Sequence, residues 1–79
     1  MRKKYTKRFA IVLHNGIQSD TIAKFGTVEE CVGWCNNNDE AWQIDNYFVE
    51  DREEDIEIGV SELMEAWAQG ERPLDLSMF

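Results

Sequence analysis

Glu53-Glu54-Asp55-Ile56-Glu57-Ile58-Gly59-Val60-Ser61-Glu62-Leu63-Met64-Glu65-Ala66-Trp67 admits two readings, and the choice between them sets the fold. Ile56, Val60, Leu63, Met64 and Trp67 fit the apolar stripe of one long helix starting near Glu53. Gly59 would then lie inside that helix, at a cost of about 1 kcal/mol relative to alanine. The alternative is a short strand, Ile56-Glu57-Ile58, then a helix from about Ser61 to Gln69. Ser61 would cap it, Gly70 would close it at C′, and Pro73 would bar its continuation. We adopt strand then helix.

A weak internal repeat supports that choice. Gly26, Glu29 and Trp34 match Gly59, Glu62 and Trp67 at identical spacing, with Phe25 against Ile58 just before. Upstream of Gly26, Lys7 to His14 reads as a strand, with Phe9-Ala10-Ile11-Val12-Leu13 apolar on both faces as in a central position. Asn15-Gly16 is a hairpin signal, and Ser19 to Phe25 reads as a half-exposed partner strand. Thr27 and Glu30 form a capping box. Val28, Cys31, Val32 and Cys35 make the stripe of a helix facing a sheet, ended by Asn36-Asn37-Asn38-Asp39. Ala41 to Val49 is rich in strand formers, with Trp42, Ile44 and Phe48 on one face. The expected fold is α+β: a small antiparallel sheet of three to four strands with two helices, read as two ββα units. Residues 1–79 make one domain, with a basic N-terminal arm over 1–7 open to being flexible. Residues 73–79 form a tail whose alternating Leu74, Leu76 and Met78 suit an edge strand.

Composition bounds the function. The apolar share of 43% and the nine aromatics (three Trp, two Tyr, four Phe) call for a packed core. No run reaches the roughly 20 apolar residues of a membrane span. The apolar run behind Met1-Arg2-Lys3-Lys4 is too short for a signal peptide, so a cytoplasmic location is expected. Net charge is −8, from sixteen acids and eight bases. The signs are segregated: Arg2, Lys3, Lys4, Lys7 and Arg8 precede every acid. From Phe9 onward only Lys24, Arg52 and Arg72 oppose all sixteen carboxylates. Such a body favours a basic partner over nucleic acid or anionic lipid.

No residue constellation carries chemistry by its spacing. His14, the only histidine, lies beside a turn with no nucleophile motif pointing to it, and reads as a surface residue. Cys31 and Cys35 sit one helical turn apart, which suits core thiols. With His14 they would give three soft ligands where structural zinc wants four. Asp51, Glu53, Asp55, Glu57 and Glu62 fall at positions 1, 3, 5, 7 and 12 of a calcium loop, but Ile56 stands where its glycine belongs. There is no phosphate-binding glycine loop and no nucleophile elbow. A non-enzymatic protein without metal or cofactor is expected.

The acids then read as a surface. Asp45, Glu50, Asp51, Glu53, Glu54, Asp55, Glu57 and Glu62 are the expected partner-binding residues, with Trp42, Tyr47 or Trp67 as neighbouring anchors. Carboxylates on alternate strand positions stand about 7 Å apart, comparable to neighbouring phosphates, and arginine forks pair with both groups. In size, acidity, want of catalytic motifs and αβ character the chain resembles the small phage-encoded inhibitors of host defence of the anti-CRISPR type, several of which mimic DNA. Acidic immunity proteins that neutralise nucleases share this character. The resemblance implies a carboxylate-rich face that blocks the nucleic-acid cleft of a basic nucleic-acid-binding protein or complex. The alternative is a small structural or adaptor module with an apolar interface, as in a homodimer built on the Leu74–Phe79 tail or a sheet edge.

Overall fold

The computed structural model describes residues 6–44 and 46–73. Four strands form one antiparallel sheet: β1 (Phe9–Asn15), β2 (Gln18–Phe25), β3 (Tyr47–Asp51) and β4 (Ile56–Gly59), in the order β2-β1-β3-β4. The helices are α1 (Val28–Asn37), α2 (Asp39–Ile44) and α3 (Val60–Ala68). The class is α+β. Strand then helix is the correct reading of 56–68, and Gly59 stands at the junction as the N-cap of α3.

Each β-hairpin has a local cause. Asn15 pairs with Gln18, leaving Gly16 and Ile17 as a two-residue turn, and Gly16 takes φ +66°, which only glycine adopts without strain. The β1–β2 ladder shifts register between Ile11 and Val12, so Ile22 is an extra residue. A bulge at this place twists the outer strand and discourages pairing with another chain. β1 lies between β2 and β3, as its two apolar faces require.

The helices cover one face of the sheet: α1 packs on β1 and β2, α3 on β3 and β4, and the two touch each other. Phe9, Ile11 and Val49 meet Val28, Cys31, Val32 and Cys35 of α1 and Val60 and Leu63 of α3 in one buried cluster. The α1 stripe is the one its spacing predicts. Thr27 caps α1: its hydroxyl oxygen accepts from the Glu30 N–H at 3.2 Å and its O–H donates to the Glu30 carboxylate at 3.2 Å. Both cysteines are free and buried.

Three expectations need correction. Ala41 to Val49 is not one strand, because its first part is α2. Asn38 ends α1 with its side chain on Trp34 O, and its own carbonyl accepts from the N–H groups of Ala41 and Trp42. Asp39 and Glu40 then suit the positive end of the new helix, and the Trp42 indole donates to Cys35 O at 2.8 Å. Trp42, Ile44 and Phe48 therefore share no strand face. Second, Ser61 does not cap α3; Gly59 does, without a side-chain bond. Third, the repeat is offset by one residue, since Gly26 precedes the cap Thr27 whereas Gly59 is the cap. At its far end α3 closes as expected. Gly70 takes φ +89°, its N–H donates to Trp67 O, and the Glu71 N–H donates to Ala66 O. Of the tail expected over 73–79, residues 74–79 lie outside the described residues, as do residues 1–5 of the arm.

Candidate functional site: the acidic surface

The expected hairpin face divides into residues with quite different settings. Asp45 lies outside the described residues. Asp51 belongs to no surface, being fully buried at 0% exposure. Its Oδ1 and Oδ2 accept from Arg8 Nε and Nη2 at 2.7 and 2.8 Å. Oδ1 also accepts from the N–H groups of Glu53 and Glu54 at 3.1 and 3.3 Å. Asp51 is thus the internal tie of the β3–β4 turn, whose last residue, Asp55, takes the left-handed φ of 57°. Burial alone would raise its carboxyl, but the bonds from Arg8 and from the turn N–H groups outweigh it and hold it below the ordinary range. The same pairing raises the Arg8 guanidinium.

Glu53 and Glu54 are half-buried, with carboxylates 3.6 and 3.8 Å from the Arg8 guanidinium. One cation thus faces three of the expected site residues. Glu50 is half-buried on β3, while Asp55 and Glu57 are exposed. Residues 51–62 run as strand end, turn, strand and helix start, not as a cation loop between two helices.

Among the described residues, most carboxylates without an ion pair lie on the helices instead. α1 presents Glu29 and Glu30, α2 Asp39 and Glu40, α3 Glu62 and Glu65. All six are exposed, and the three helices contain no lysine or arginine. Glu71, just past α3, is exposed as well. Of this group only Glu62 is in the expected set. The others are legible in the sequence as the acids that the apolar stripes leave on the outer side of each helix. None of the six helical acids forms an ion pair with a cation among the described residues, and the Thr6 carbonyl and the Glu30 carboxylate both lie close to Gly26, so the start of the described chain runs beside the first turn of α1. Arg52 donates its N–H to Arg8 O and Nη1 to Lys7 O, and Lys24 pairs in register with Ala10, two residues from Arg8. Arg72 folds over Trp67, 4.2 Å from the ring centroid.

The other face of the sheet carries a second cluster. Ala10, Val12 and His14 alternate with the core residues of β1 and point to the side that no helix among the described residues covers. His14 Nδ1 lies 2.7 Å from Ser19 Oγ and Nε2 3.1 Å from Glu57 Oε2, with the ring edge-on to Phe48 at 4.7 Å. Sequence reasoning missed this grouping because 43 residues separate His14 from Glu57. Cys31 and Cys35 join no such cluster. Burial, with the Cys35 and Glu30 charges adding, pushes the Cys31 thiol up to about 12, and burial pushes Cys35 to about 11, so both stay protonated at neutral pH. Among the described residues no three His, Cys, Asp or Glu side chains are placed to hold a metal ion, and no helix is long and apolar enough to cross a membrane. Comparison with protein-family models, with curated proteins and with solved structures finds no match for this chain.

Proposed function

We propose that this protein is a phage-encoded inhibitor that acts by occupancy. Its acidic helical layer fills the basic, nucleic-acid-binding cleft of a host defence complex such as a CRISPR effector. One observation carries the reading: six exposed carboxylates on three helices with no cation among them. Glu62 and Glu65 stand about one helical turn apart, side by side on the outer surface of α3. Asp39-Glu40 and Glu29-Glu30 bracket α1 at its two ends. Lysines and arginines that hold phosphates can hold such carboxylates in the same way. The β3–β4 hairpin contributes Asp55 at most, since Asp51 is interior, Arg8 faces Glu53 and Glu54, and Glu57 bonds His14 on the other face of the sheet. The test is competition with DNA. A target bound through this layer releases the protein when duplex DNA is added, and the quadruple variant Glu29→Gln/Glu30→Gln/Glu62→Gln/Glu65→Gln binds it more weakly. Simultaneous binding of DNA and protein would reject the reading.

A second reading rests on a different observation. Ile17 at the β1–β2 turn and Ile44 at the end of α2 are fully exposed, at 104% and 82%. The His14 N–H donates to Asn46 O, which puts this turn and the α2–β3 junction at the same end of the sheet. An adaptor or homodimer contact through that end would be abolished by Ile17→Asp with Ile44→Asp and untouched by the glutamine substitutions.

A further inference from the structure

We propose that Ser19 is a nucleophile, activated by His14 and Glu57, that accepts an acyl group from an activated carboxylic ester. The cluster lies on the sheet face opposite the helices, so this inference does not rest on the acidic-layer reading.

The backbone places the three residues. Ser19 stands directly opposite His14 in the β1–β2 ladder. The His14 N–H turns the other way, to Asn46 O at 2.9 Å, so this is a pair without mutual backbone bonds. Side chains of such pairs approach most closely, and Ser19 Oγ lies 2.7 Å from His14 Nδ1. On the other side of the ring, Nε2 lies 3.1 Å from Glu57 Oε2. A carboxylate only accepts, so in the neutral imidazole Nε2 carries the hydrogen and Nδ1 turns its lone pair to the Ser19 hydroxyl. Glu57 thereby fixes the tautomer that makes His14 a base toward Ser19. The Phe48 ring, 4.7 Å away and edge-on, flanks the imidazole. A nucleophile, its base and a third group that orients the base are the parts such activation requires.

Access and charge stabilisation follow from the fold. Ser19 is exposed on an edge strand. Its pairing type turns its own N–H outward, where among the described residues no strand lies beyond β2, so that N–H is a donor for a carbonyl oxygen that gains charge. In the step, Ser19 Oγ bonds to the acyl carbon and its proton passes to His14 Nδ1. The bond from that carbon to the leaving oxygen breaks, and the leaving group takes the proton from Nδ1. The products are an acylated Ser19 and a free phenol, with no further reactant. Ser19 lies at the surface, where an ester with a good leaving group suits it.

The test treats the full chain with p-nitrophenyl acetate at neutral pH, follows p-nitrophenol release and maps the acetyl group by peptide mass spectrometry. The native protein is expected to gain one acetyl group on Ser19. Ser19→Ala should keep the melting temperature and lose that adduct. His14→Ala should slow labelling of Ser19 about 100-fold, the scale of a positioned general base. Glu57→Gln, which can donate as well as accept, should fall between wild type and His14→Ala. Urea-unfolded wild type gives a reading that needs no folded variant, since unfolding separates His14 from Glu57 and should stop the labelling. Acetyl groups found only on amines or on His14, or Ser19 labelling as fast in the variants or in urea, would overturn the proposal.

Discussion

Arg8 grips both carboxylate oxygens of Asp51, at 2.7 and 2.8 Å, across 43 residues of sequence. The bond joins the start of β1 to the end of β3 and takes Asp51 wholly out of water. A buried pair contributes little net stability when intact, but breaking it leaves a charge without a partner. Asp51→Ala also strips the N–H groups of Glu53 and Glu54 of their acceptor. Its unfolding free energy should fall by about 3 kcal/mol in urea titration. An effect within about 0.5 kcal/mol would show the tie to be ornamental.

The same pair sets an acid limit. The Asp51 carboxyl is held below 3.8 in the folded chain. A carboxyl depressed on folding contributes stability that is complete above the unfolded value and is lost as pH falls through the folded one. Stability from this source should therefore be flat from neutral pH to about 5 and decline below about 4. In Asp51→Asn that part of the decline should vanish, as thermal melts from pH 3 to 7 can check (~pH 4 being the unfolded midpoint).

Cys31 and Cys35 titrate in the opposite sense. Their thiols are raised to about 12 and about 11 from 9.0, so the fold favours the protonated form. Their contribution is complete below 9.0 and is lost as pH rises from there toward 11. A thiol reagent such as DTNB should leave both untouched in the native protein and titrate both in urea. Fast native labelling would mean that the α1–sheet contact opens readily.

Gly70 takes φ +89° in the turn that closes α3. Gly70→Ala should cost about 1–2 kcal/mol, because a Cβ is disfavoured in that region. Gly33 lies in α1 at an ordinary φ, and a Cβ added there would meet no atom within 4 Å. Gly33→Ala should instead raise stability by about 0.5–1 kcal/mol. Equal melting temperatures for the two variants would contradict this contrast.

Much of the fold is legible in local chemistry. The Thr27–Glu30 box, the Val28-Cys31-Val32-Cys35 stripe and Gly70 each act within a few residues and stand where their patterns require, and Asn15-Gly16 marks the hairpin although the turn itself is Gly16-Ile17. The failures are long-range. Trp42 is a good strand former, yet its indole bond to Cys35 O helps hold it in α2. Asp51 sits amid eight residues of acidic sequence, but alternation aligns it with Phe9 and so points it toward the helical side, within reach of Arg8. No pattern in the acidic run announces that partner. The acids of the helices are diluted among apolar residues, so their spacing conceals a layer that only the packed helices assemble. His14 could not be paired from sequence, because Glu57 reaches it only through the register of β3 and β4.

Affinity for a panel of purified CRISPR effector complexes, titrated at two salt concentrations, puts the helical layer to the most direct test. The wild type should bind one of them in competition with DNA and weaken as salt rises. Glu29→Gln/Glu30→Gln/Glu62→Gln/Glu65→Gln should bind at least about tenfold more weakly with a flatter salt dependence. Glutamine at position 30 keeps the α1 cap, so the fold should survive. An affinity and salt dependence unchanged by removing all four charges, alongside loss of binding in Ile17→Asp/Ile44→Asp, would contradict the electrostatic reading.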